Sequence, residues 1–316
     1  MSFARLTGYA AGVALVGLIA TTVAMIRTAP NDLGPPVVEA KDSVTWRLPV
    51  PDSMLGRSRQ LRFRTLDGAS AIGVSGFVAT LGERAIRTPE VHHTELAPGE
   101  RFAYVVMRPF GEKRGASLNG YRLGFWPAER RMMAHNYLNP PGFLEVWPAN
   151  VDLPVSTHFR LGEFVTHDQP NVWPKYVVLR EALVDKLELV LADLVAHGVP
   201  ARHARVLSGF RAPQYNDRTE HSAQASRHQY GDAADLIIDD DGNGRMDDLN
   251  HDGRVDLADT DVILRAVERV ERRYPELVGG LGLYQAVGPS GPFAHIDVRG
   301  TQARWGGDWW KRAPRR

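Results

Sequence analysis

The feature that most restricts how this chain can fold is the run SRHQYGDAADLII, from Ser226 to Ile238. His228 and Asp235 offer an imidazole and a carboxylate, donors of the kind a divalent ion such as zinc accepts. Gly231 and Ala233 lie between them, where small side chains let the backbone turn tightly beside an ion. Leu236, Ile237 and Ile238 read as a buried strand, which would hold the Asp235 carboxylate on a rigid support. A third donor, His295, stands in FAHIDV near the C-terminus. Phe293 to Val298 reads as a strand, so His295 and Asp297 share a face and Ile296 points away. Convergence of His228, Asp235 and His295 would leave a fourth tetrahedral position for water.

Other motifs stand in order around this one. SxHFxLxEF covers Ser156 to Phe164, SGFR covers Ser208 to Arg211 with Tyr215 and Asn216 after it, and FAHIDVRG is followed by Arg304 and Trp305. With SxHxxGxAxD and the late HxD, the series resembles the zinc D-Ala-D-Ala carboxypeptidase and murein endopeptidase family, whose fold is shared with the hedgehog signalling domain. The resemblance covers roughly residues 151 to 316. It implies an α+β fold, a small antiparallel sheet with flanking helices, and zinc held by His228, Asp235 and His295. It also implies peptidoglycan peptides as substrate, with Ser226 and Arg211 binding them. A planar guanidinium matches a carboxylate or a developing oxyanion with two parallel hydrogen bonds, which suits Arg211 to catalysis.

Some relatives place an acidic residue three positions before the last histidine, where Pro292 stands here; others place a histidine two before it, where Phe293 stands. The HxD subgroup is the nearer likeness, and it leaves Asp297 as the candidate general base. A shifted register, with Asp297 as ligand and His295 as base, stays open. So does a non-catalytic wall-binding or scaffold role.

An acidic insert, residues 239 to 259, follows the strand. Asp248, Asn250, Asp252, Asp256 and Asp259 occupy positions 1, 3, 5, 9 and 12 of a calcium loop, with Gly253 at the turn and Arg254 contributing its carbonyl. Aspartate at position 12 resembles the dockerin type of loop. A second, overlapping register runs through Asp239, Asp241, Asn243, Arg245 and Asp247 and shares Asn250. The Asp248 register is the clearer of the two. Val262, Ile263, Ala266, Val267, Val270 and Tyr274 then recur at helical spacing, with Asp259 at the favoured N-terminal end. Leu179, Leu183, Leu187, Val190, Leu191 and Leu194 predict another core-facing helix, stopped by Gly198 and Pro200.

At the N-terminus about 21 uncharged residues lie between Arg5 and Arg27, enough for a helix of roughly 31 Å. Residues 1–27 therefore read as an uncleaved signal-anchor, with a cleaved signal peptide as the rival reading. The substrate that the resemblance implies places the anchor in the inner membrane and the bulk in the periplasm or otherwise outside the cytoplasm. Residues 28–42 read as a linker. Residues 43–150 alternate short apolar runs with Gly, Pro and charge, the pattern of a small all-β domain. His92 and His93, adjacent on such a strand, would face opposite ways. With 38 basic and 37 acidic residues the net charge of +1 gives no reason to expect a nucleic-acid partner. The absence of cysteine excludes disulfides, thiol nucleophiles and thiolate metal sites.

Overall fold

The computed structural model describes residues 88–97, 100–130, 137–220, 222–285 and 288–307, with Arg84 and the strand residues 37–39, 45–47 and 62–66. The expected membrane anchor, residues 1–27, and the C-terminal Trp309 and Trp310 lie outside the described residues. Among the described residues no helix is long and apolar enough to cross a membrane. Within the expected linker and just after it, Val37–Glu39 and Thr45–Arg47 form an antiparallel ladder.

The architecture is mixed, with small, mostly antiparallel sheets and few helices. Strands β1 (Arg62–Leu66), β2 (Val91–Ala97) and β3 (Glu100–Val106) form one sheet in the order β1-β3-β2. A second joins β4 (Arg108–Pro109), β5 (Gly142–Val146) and β6 (Lys175–Val177) in the order β6-β5-β4. Because β5 precedes residue 150 and β6 follows it, the expected boundary between 150 and 151 does not divide the core. Trp126 confirms the continuity: it is fully buried, stacks on Phe210 at 6.5 Å and donates its indole N–H to the Gln229 carbonyl at 2.8 Å. An aromatic cluster of this size buries enough apolar area to hold both halves together.

The third sheet carries the metal motif. Its strands are β7 (Ala204–Ser208), β8 (Ala233–Ile238), β9 (Gly280–Tyr284), β10 (Phe293–Asp297) and β11 (Ala303–Gly306), in the order β7-β8-β10-β9-β11. All neighbours are antiparallel except β9 and β11. Helices α1 (Glu181–Ala196) and α2 (Leu257–Arg273) pack on each other, and α2 lies against β9 and β10. Both match the helical spacing in the sequence; Gly198, at φ +80°, ends the first. Alternation along the strands explains the division of labour. Leu236, Ile238, Leu281, Leu283, Ala294 and Ile296 point one way and are buried. The opposite face carries the polar residues.

Buried Lys186 on α1 fastens the layers. Its ammonium donates to Glu271 of α2 at 2.7 Å and to the Asp297 backbone carbonyl of β10 at 2.7 Å. Arg304 closes the pair from β11 through Glu271. A buried ion set like this costs desolvation, so its contribution is to fix register more than to add net stability.

Candidate metal centre

One cross-strand row runs through all five strands of the third sheet: Ser208, Asp235, His295, Gly282 and Trp305 are successive Cα partners. Asp235 and His295, sixty residues apart in sequence, are thereby neighbours by register alone. His228 reaches them from a single helical turn, Arg227–Tyr230, set just before β8. Ser226 caps that turn, its hydroxyl accepting the His228 N–H at 3.4 Å, and is itself buried. Ser226 thus serves the turn that carries His228.

The seven-residue spacing works because the intervening backbone is pinned. Gly231 adopts φ +64°, and a Cβ there would fall 2.2 Å from the Val178 carbonyl oxygen. Its own carbonyl accepts the Arg180 N–H at 2.8 Å. Arg227 and Asp232 form a buried bidentate ion pair, and Arg227 also lies 4.9 Å over the Tyr230 ring. These contacts leave the turn one conformation.

The hydrogen bonds on the far sides of the two imidazoles fix their tautomers. His228 Nδ1 is 2.7 Å from the Gly209 carbonyl, which can only accept, so Nδ1 carries the proton and Nε2 is a lone pair. His295 lies between two carboxylates, with Nε2 3.1 Å from Asp297 and Nδ1 2.9 Å from Asp235, so Nε2 keeps its proton and Nδ1 is free to accept a cation only in exchange for a second one. His228 Nε2 and His295 Nδ1 face each other at 3.1 Å. Asp235 Oδ1 is 3.2 Å from the first and 2.9 Å from the second. Three electron-rich atoms this close repel unless something positive, a proton or a metal ion, sits among them. His228, Asp235 and His295 form a buried group that can hold a metal ion.

The charge balance around the site follows the same logic. Burial holds the His228 imidazole below its ordinary value, helped by Arg211 and His295 and opposed by Asp235. Burial pulls His295 down too, but its bonds to Asp235 and Asp297 outweigh this and raise it. Burial pushes the Asp235 carboxyl up, yet His228 and His295 hold it far below the usual carboxylate range. A proton on His295 Nδ1 is thus the metal-free answer to the crowding, and proton and metal compete for one place.

Asp297 does not face the ion. It is fully buried behind His295, and its two oxygens accept from His295 Nε2, the Gly280 N–H at 2.7 Å, the Arg299 N–H at 3.0 Å and the Arg299 guanidinium. Despite burial, His295 and Arg299 hold its carboxyl far below the usual range. A carboxylate so engaged is a poor proton acceptor. In this arrangement Asp297 bonds to His295 as a positioning residue does, and the donors that gather are His228, Asp235 and His295, without Asp297.

Arg211 does reach the site. Its Nη2 meets Asp235 Oδ2, and its Nε donates to Ser208 Oγ at 2.8 Å. The SxHFxLxEF segment supports this loop: Phe210 N–H donates to the Phe164 carbonyl at 2.9 Å, and Thr166 Oγ1 bridges Phe210 and Ala212. Gly209 has no room for a side chain, since a Cβ would lie 2.5 Å from the Phe164 Cα.

Trp305 lies 5.1 Å from the His295 ring and flat over Gly282, whose missing Cβ makes the space. Its indole N–H donates to Tyr284 at 2.7 Å, and Tyr284 stacks on Phe293 at 4.8 Å. These half-exposed rings form an aromatic rim at one side of the centre. Sequence reasoning missed the parts played by Ser208, Gly209, Arg227, Asp232 and Arg299. Of these only Arg299, two residues past Asp297 on an alternating strand, left a signal that spacing could have caught.

In the acidic insert the residues divide unevenly. Asp239, Asp241 and Asp247 bring one oxygen each within 4.8 Å of one another. Among the described residues the carboxylates of the Asp248 register are not gathered in such a group of three. Asp256 instead caps α2, accepting the Ala258 N–H at 2.7 Å.

No protein-family description, no curated protein and no solved structure matches this chain.

Proposed function

We propose that the chain is a zinc-dependent peptidase of peptidoglycan, with a hedgehog-like α+β catalytic region that cuts stem-peptide or cross-link bonds joining D-amino acids. The observation that carries the reading is the convergence of three donor atoms at 2.9 to 3.2 Å, two of them on imidazoles whose outer nitrogens are already tied. A tetrahedral ion with bonds of about 2.0–2.1 Å keeps its ligands about 3.3 Å apart. Two imidazoles and one carboxylate, with a position left for solvent, is a donor set of the catalytic kind. Zinc bound there supplies Lewis-acid polarisation of a carbonyl and lowers the pKa of water.

The chain's own residues do the rest. Gly209 and Asp297 hold the protons on His228 Nδ1 and His295 Nε2, so that the inner nitrogen of each ring is aimed at the ion's place. Arg211 steadies Asp235 and presents its remaining N–H groups to a substrate carboxylate or a developing oxyanion. Trp305, Tyr284 and Phe293 shield one flank from water and offer a stacking surface. An N-terminal anchor in the inner membrane would keep this centre on the same side as the wall.

The test is mass spectrometry of purified muropeptides incubated with the full chain, with and without a zinc chelator. The expected outcome is a chelator-sensitive addition of water across a D-amino-acid bond, absent from His228→Ala. Muropeptides left intact by metal-loaded wild-type protein would sink the proposal.

A further inference from the structure

The acidic insert offers two overlapping loops, and the structure treats them differently. In the Asp248 register the loop's own backbone engages the carboxylates. Asp248 accepts the N–H groups of Asp252 at 3.2 Å and Gly253 at 2.8 Å. Asp259 spends both oxygens on Leu249 at 2.8 Å, Asn250 at 3.2 Å and Asp256 at 2.8 Å. That loop is held by internal bonds.

The Asp239 register bonds to itself in the same way, Asp241 accepting the Asn243 N–H at 3.0 Å and Asp247 the Asp240 N–H at 2.7 Å, but there one bond is missing. Asp239 is only 7% exposed, its Oδ2 accepts the Gly244 N–H at 3.0 Å, and its Oδ1 has no hydrogen-bond partner. A buried carboxylate oxygen without a donor costs more than a typical fold tolerates, and calls for an ion or a water. The same carboxylate belongs to the group in which Asp239, Asp241 and Asp247 gather their oxygens within 4.8 Å. Asp240, between them in sequence, is already neutralised by Arg202 at 2.9 Å. Three acidic groups therefore remain for a cation.

We infer that the Asp239 loop, and not the Asp248 loop, binds a calcium ion through Asp239, Asp241 and Asp247, with the Asn243 amide oxygen as a further ligand. Asn243 Oδ1 accepts only the Arg245 N–H at 2.8 Å, and so keeps a lone pair. Gly242 and Gly244, at φ +73° and +81°, supply the left-handed turns that wrap oxygen ligands round an ion. Asp241 and Asp247 also line an open groove of about 360 Å³, together with Arg202, Asp248 and His251, which admits water to that side of the loop; calcium takes six to eight oxygen ligands in all. The preference is for calcium over magnesium, because a flexible loop with mixed carboxylate and amide oxygens does not enforce a tight octahedron. Asp239 directly follows Ile238, the last residue of β8. The ion thus fastens the far end of the strand that carries Asp235. This site stands independently of the peptidase reading.

Isothermal titration with calcium chloride, on the full chain freed of calcium and preloaded with zinc, tests it. Wild type and Asp248→Asn are expected to bind calcium with affinities within about threefold of each other. Asp241→Asn, at an exposed position that folding does not depend on, is expected to weaken binding at least tenfold. Magnesium at the same concentrations should not compete. Absence of calcium binding by wild type, or binding unchanged by Asp241→Asn and lost in Asp248→Asn, would overturn the assignment.

Discussion

The imidazole centre and the acidic insert both gather three ionisable donors within 4.8 Å, yet they do so by opposite means. At the centre each donor sits on a sheet row or a pinned turn, buried, with its outer face already bonded. In the insert the donors sit on a loop that bends through glycines and bonds to itself. Rigid scaffolding sets distances to a few tenths of an ångström and excludes water; a loop leaves the ion to draw in its own ligands. The first arrangement suits chemistry at a fixed point, the second suits a hard cation that tolerates variable coordination.

Glycines offer the sharpest way to break that comparison, and the largest effect. Gly231 and Gly253 both have left-handed backbones, at φ +64° and +83°, but only Gly231 has a carbonyl oxygen where a Cβ would go. Gly231→Ala is expected to cost about 3 kcal/mol, strain and clash combined, and Gly253→Ala only about 1 kcal/mol. Urea denaturation of the two variants measures the difference; equal costs would show that the turn before β8 is no more pinned than the loop.

Next in size is the tie behind the ligand. Asp297→Asn should weaken zinc binding about 10- to 100-fold while Asp248→Asn leaves it unchanged, as competition with a chromogenic chelator would show. An unaltered affinity in Asp297→Asn would return Asp297 to the unassigned residues.

The smallest effect concerns pH, where the two regions have opposite signs. Asp235 and Asp297 are held below their ordinary range, so each contributes stability that is present above about pH 4 and lost as pH falls through its depressed folded value. Asp247 is raised by burial and by its neighbours Asp241, Asp239 and Asp240. Its ionisation therefore opposes folding: the penalty is absent below about pH 4, grows as pH rises through the folded value, and is complete at neutrality. In chelator, Asp247→Asn is expected to be more stable than wild type at pH 7, with the gap narrowing toward pH 4. Thermal melts over that range, repeated with calcium, check the sign.

The sequence carried much of this, for physical reasons that differ between residues. His228, Asp235 and His295 were legible because ligand chemistry restricts residue type and strand alternation restricts spacing. Helices α1 and α2 were legible from a period of 3.6 in their apolar residues. The role of Asp297 was not, because a carboxylate two residues from a histidine on one strand can face the ion or stand behind it, and only Arg299 and Gly280 decide. The difference between the two registers was equally hidden, since both show the same oxygen pattern and only the fold leaves one Asp239 oxygen without a partner. The boundary near residue 150 failed because a composition shift marks a change of local pattern, while Trp126 and Phe210 pack across it.

The even count from Asp235 to Asp239 has an evolutionary corollary. One residue inserted or deleted within β8 would turn the strand residues beyond it to the opposite face, so a change of length between Asp235 and the acidic loop is disfavoured.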